Sequence, residues 1–168
     1  MDEISLDLPM AVPGVDLLQR VPLFAKLGFE ETMSLAQISH VEHRKDGELL
    51  IAQDSLGGAL YIVKEGKAKV TRRDAITGDV KDLATLAKGE LFGEMTLIDD
   101  QLASADVAAL GPVEVLVIPR KKFEELLAGD QRLAVKVYRC FCRALSDKLR
   151  KANSRIGELS NLSKKVGA

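Results

Sequence analysis

Two histidines are all that this chain of 168 residues contains, and the scarcity removes most metal chemistry. His40 and His43 stand three apart around Val41-Glu42; on a strand they face opposite sides, so no imidazole cluster forms and no metal site is expected. Cysteine is as sparse. Cys140 and Cys142 are two apart in a helical pattern, so they diverge and cannot pair locally. Both are expected as buried apolar residues in a reducing cytoplasm. No apolar run approaches the roughly 18 residues that a membrane span requires. The start, Met1-Asp2-Glu3, carries acids where a secretory signal carries Lys or Arg, which argues against export. Gly-x-Ser-x-Gly, a Walker loop and a plausible Cys-His pair are all missing, so no catalytic residue is assigned and no enzyme is expected.

What is present is an ordinary globular composition, 46% hydrophobic and 29% charged, long enough to bury one core. The net charge of −1 hides an imbalance. Residues 131–168 carry ten Lys or Arg against two acids, and residues 1–130 carry fourteen against twenty-three. Such a tail can attract nucleic acid, anionic lipid or an acidic partner, or form a solvated helix face offset by an acidic body.

Three parts follow from the texture. Residues 1–14, with Pro9 and Pro13-Gly14 and no sustained period, read as a flexible arm. Residues 15–130 open with two short helices, one built on Val15, Leu17, Leu18, Val21 and Phe24 and ended by Pro22, the next over 30–38. Short β-prone runs then alternate with turns at spacings of roughly 8–12 residues, as in a sandwich or barrel. They are Val41–Arg44, Glu48–Ile51, Ala59–Lys64, Lys67–Arg73, Lys81–Leu86, Ala103–Leu110 and Val113–Ile118. Ala59–Val63 is the most continuously apolar and is expected to be central. Arg120–Leu127 reverts to helix, and Gly129 ends it.

Residues 131–168 form one long helix, which Asp130 is placed to cap. It carries Leu133, Val137, Tyr138, Phe141, Leu145, Leu149, Ala152, Ile156 and Leu159. From Leu145 the spacing is 4, 3, 4, 3, a short heptad-like seam. The first half of the helix, Leu133–Leu145, is expected to pack on the sheet. The second half, Leu149–Leu159, projects an apolar stripe toward a partner, most simply a second copy, with dimerisation through Leu145, Leu149, Ala152, Ile156 and Leu159. Only nine residues follow Leu159, too few for a helix-turn-helix of about 50–60 residues, so no DNA reader is expected.

The chemistry concentrates in Gly89-Glu90-Leu91-Phe92-Gly93-Glu94-Met95-Thr96-Leu97, which runs on into Ala103-Ser104-Ala105-Asp106. Gly93 lets backbone approach a ligand, and Glu94 can accept from a sugar hydroxyl. No cation follows Glu94 until Arg120.

With the spaced glycines Gly47, Gly66, Gly78, Gly89 and Gly93, and the run Ala59-Leu60-Tyr61-Ile62-Val63-Lys64-Glu65-Gly66, this layout resembles the cyclic-nucleotide-binding domain family over about residues 15–159. The resemblance implies a mainly β fold with flanking helices, a jelly-roll β-roll followed by a long C-terminal helix. It places a ligand pocket among Phe92, Gly93, Glu94, Met95, Ala103, Ser104, Ala105 and Asp106, with the long helix closing over it. It also implies an arginine nine residues after the glutamate, pairing with the cyclic phosphate, and a Thr or Ser shortly after. Here Ala103 and Asp106 hold those positions. Asp106, with Glu94, Asp99 and Asp100 near in sequence, is expected to make the cradle acidic and to repel phosphate.

Two readings stay open. In the first, the chain is a regulatory module without ordinary nucleotide binding, with no cofactor, acting through protein contacts, and Glu94 is a cap on its turn. In the second, it senses cyclic AMP, cyclic GMP or another small ligand with a cation drawn from Arg72, Arg73, Arg143 or Lys148.

Overall fold

The computed structural model describes residues 12, 14–22 and 24–166, so the arm expected over 1–14 falls outside them apart from Val12 and Gly14. Among the described residues the chain opens with α1 (Val15–Arg20) and α2 (Phe29–Gln37). There follow β1 (His40–Arg44), β2 (Leu49–Ile51), β3 (Ala59–Glu65), β4 (Ala68–Arg73), β5 (Val80–Leu86) and β6 (Leu91–Phe92). Then come α3 (Glu94–Asp99), β7 (Asp106–Ala109), β8 (Val113–Pro119), α4 (Arg120–Gly129) and α5 (Gln131–Val166).

The strands form two antiparallel four-stranded sheets, in the orders β1-β8-β3-β6 and β2-β7-β4-β5. That is the expected roll. Central β8 reads Val113-Glu-Val-Leu-Val-Ile-Pro119 because both of its faces are covered. Val113, Val115 and Val117 join Val63, Phe92, Val107 and Ala109 inside the roll. Leu116 and Ile118 point the other way, with Leu60 and Ile62 of β3, into a second cluster. The helices supply the rest of that cluster: Leu18, Leu35, Phe123, Leu133, Val137 and Phe141. The first half of α5 therefore docks against sheet and helices together. Asp130 caps it, its Oδ1 accepting from the N–H groups of Arg132 at 2.9 Å and Leu133 at 3.0 Å.

Four expectations need correcting. The strand expected from Ala103 begins at Asp106, because Ala103 is held outside the ladder by backbone bonds with Asp54 (2.8 Å) and Ser55 (2.9 Å). The segment after Gly89 contains a two-residue strand and a six-residue helix, both too short to leave a period in sequence. Tyr138, counted with the apolar set of α5, is 48% exposed. Cys140 is buried, and burial pushes its thiol up, but Cys142 faces solvent. Among the described residues no helix is long and apolar enough to cross a membrane.

Candidate functional site

Phe92 on β6 is fixed by pairing opposite Tyr61 of β3, and the two rings stack with centroids 5.1 Å apart. Burial first, and the charge of Glu42 second, push the Tyr61 hydroxyl up. The chain then turns at Gly93, whose φ of 82° lies in the left-handed region. A Cβ there would stand 2.7 Å from the carbonyl oxygen of Ala59. Gly57 meets α3 still more closely, since its Cβ would lie 1.7 Å from Thr96 Oγ1. Gly93→Ala is expected to cost about 2 kcal/mol or more, from the conformation and the clash together. For a chain of this length the melting midpoint falls by roughly 4–8 °C, read by circular dichroism. A shift under 1 °C would show that the turn tolerates a side chain.

Beyond Gly93, α3 presents Glu94, which is only 2% exposed. Among the described residues the carboxylate accepts no hydrogen bond from its own turn. Its partner is Lys148 of α5, whose Nζ donates to Oε1 at 2.5 Å. Charge inside the roll needs a counter-ion, and the long helix delivers it from 54 residues away.

Between the roll and α5 lies a cavity of about 550 Å³. Phe92, Gly93, Glu94, Met95, Ala103, Ser104 and Ala105 all line it. Asp106 does not. Its Oδ1 accepts from the N–H of Gln53 at 2.7 Å, while Gln53 clamps Arg73 through both its backbone groups. The expected acidic cradle is thereby overturned. Asp106 serves a strand junction, Asp100 pairs with Arg120, and Asp99 accepts from the Gln101 backbone. Of the named cation sources, Lys148 reaches the cavity, whereas Arg72, Arg73 and Arg143 do not line it. Arg143 lies in a separate basic groove with Lys26 and Cys140.

Two cations of the wall escape sequence reading, Lys151 and Arg155. With Lys148 and Ala152 they stand at i, i+3, i+4 and i+7, one face of α5, and that spacing could have found them. Ala152 thus turns to the cavity. Leu149, Ile156 and Leu159 remain 62%, 64% and 61% exposed, and Leu145 is half-buried. Arg120 also went unassigned. Its guanidinium donates to the carbonyl of Thr96 at 3.0 Å and pairs with Asp100 and Glu124, stapling α3 to α4.

His40 pairs with Glu42 and His43 with Glu114, both on the surface.

The family model for the cyclic nucleotide-binding domain matches residues 41–130, the roll and hinge helix just described. The chain belongs to the cyclic nucleotide-binding domain family. Among curated members, the isozyme 1 cGMP-dependent protein kinase of Drosophila melanogaster is 31% identical over 127 residues. That match covers 74% of this chain but only 16% of the kinase. The cyclic AMP receptor protein of Thermus thermophilus is 36% identical over 141 residues, 83% of this chain and 62% of the receptor. A solved relative is the regulatory subunit of a cAMP-independent protein kinase A from Trypanosoma brucei. It is 26% identical, covers 79% of this chain and 46% of that one, and superposes with a TM-score of 0.69. The crystallised form is a triple mutant, one of whose changes introduces an arginine, bound to cAMP in the A site. In this member of the family, Ala103 puts a methyl on the cavity wall beside Gly93 and Glu94.

Proposed function

We propose that this chain is a non-enzymatic regulatory module that does not bind cyclic nucleotide in its family's manner and works through protein contacts of α5. One observation carries the reading. The buried carboxylate that would meet a ribose hydroxyl is already engaged by Lys148, while position 103 offers a methyl to the phosphate. A monoanionic phosphate in a partly desolvated pocket needs a guanidinium or its equivalent. Losing one partner of such a pair costs about 2–5 kcal/mol, a weakening of roughly 25- to several-thousand-fold. The Trypanosoma brucei relative supports the reading, since it is described as cAMP-independent and its cAMP-bound form carries an added arginine.

Thermal unfolding tests it. With millimolar cyclic AMP or cyclic GMP the midpoint stays where it is. A true binder at about 100 times its dissociation constant gains about 2.7 kcal/mol, which is roughly 5–11 °C for this length. An upward shift of that size ends the proposal.

The contacts of α5 are proposed to begin with a second copy of the chain. Leu149, Ile156 and Leu159 form an exposed apolar stripe on the helix, adjoining the face turned to the cavity. By light scattering the unmodified chain should have the mass of a dimer, and Leu149→Asp with Ile156→Asp that of a monomer. Equal masses for the two would discard the seam.

A second reading is favoured by Lys148, Lys151 and Arg155 on the wall of an open cavity: a small-ligand sensor whose cations come from α5. Movement of α5 on binding would then be its output.

A further inference from the structure

The floor of the cavity is carbon. Ile51, Val70, Phe92, Ala103, Ala105 and Val107 face it from the roll. Of its two acids, Glu94 is paired with Lys148, while Glu90 accepts from the N–H of Ala87 at 2.7 Å and keeps its charge. Asp106 is turned away to Gln53. On the α5 side, Lys151 and Arg155 line the same space, and among the described residues neither has a carboxylate within ion-pair distance. With Glu94 matched by Lys148 and Glu90 still charged, the lining is left with two cations against one acid, a net positive charge carried on the α5 wall of an apolar chamber. A cyclic nucleotide suits it poorly, because its ribose needs a free Glu94. A molecule with no sugar needs neither Glu94 nor a guanidinium at position 103.

From these features we infer that the cavity binds an organic anion with an apolar body, its charge held by Lys151 and Arg155 of α5 and its body by the floor of the roll. The inference rests on the second reading above and gives that sensor its ligand class. A volume of about 550 Å³ admits a molecule of two or three fused or linked rings, or a medium-length chain. The charge is met by the helix instead of the sheet, so the anion would draw α5 toward the roll.

The test uses the full chain and two fluorescent probes with similar ring systems. Anilinonaphthalene sulfonate carries the charge; phenylnaphthylamine is neutral. Expected is binding of both, with the sulfonate at least about tenfold tighter. Lys151→Ala with Arg155→Ala should weaken the sulfonate by about tenfold or more and the neutral probe by less than about twofold. Ser104→Trp places an indole in the cavity from an exposed position and should abolish both, with an unchanged melting midpoint. If both probes survive Ser104→Trp, they do not bind in the cavity, and the sensor reading falls with the proposal. If Ser104→Trp removes both but the alanine pair leaves their ratio unchanged, the cavity stands and the assignment to an anion fails.

Discussion

Ala103→Arg is expected to raise affinity for cyclic AMP or cyclic GMP by at least about 25-fold, as isothermal calorimetry would measure. Position 103 lines the cavity beside Gly93 and Glu94, so a guanidinium there meets the phosphate of a nucleotide whose ribose lies on Glu94. No change at position 106 is required. Asp106 holds the Gln53 backbone outside the cavity, and replacing it would loosen the clamp on Arg73 without helping the ligand. Lys148→Met added to Ala103→Arg should raise affinity further, because it frees Glu94. Ala103→Met controls for bulk and should gain nothing. Were Ala103→Arg to bind no better than the unmodified chain while melting normally, something other than the missing cation would be closing the pocket.

Phe141→Ala is expected to be the most damaging single change in α5, lowering stability by about 3–5 kcal/mol. The ring is 1% exposed and lies 6.0 Å from that of Phe123, centroid to centroid. It joins α5 to α4 and, through Leu116 and Ile118, to the sheet. The midpoint should fall by roughly 6–20 °C in calorimetry. Leu149→Ala, on the exposed stripe, should move it by less than about 2 °C in a sample dilute enough to be monomeric. A drop under 2 °C for Phe141→Ala would mean that the first half of α5 is not anchored in the core.

The roll was legible because its strands alternate and its turns are marked. Ala59–Val63 reads as central since both faces are covered, and it lies between β8 and β6. Asp130 reads as a cap, and the backbone confirms it. The pocket lining was legible through the family resemblance, along Phe92–Met95 and Ala103–Ala105. What failed was direction. Within β7, Val107 and Ala109 are buried and Asp106 and Ala108 take the other parity, so Asp106 turns away to Gln53. Proximity in sequence to Glu94 is not proximity in space, since Asp99, Asp100 and Asp106 do not line the cavity. The Glu94–Lys148 pair was legible by half: the resemblance places the long helix over the pocket and Lys148 is among the cations that helix offers, but which acid it meets depends on how the helix sits on the roll, which local spacing does not give.

That pair is also lopsided. Glu94 is sealed in protein, whereas the side chain of Lys148 is 51% open to water. Dissolved ions reach one end of the contact and not the other, so electrolyte weakens the hold on the distal turns of α5 while leaving the anchored turns around Phe141 alone. Added salt is therefore expected to loosen this tether between α5 and the roll even without a ligand.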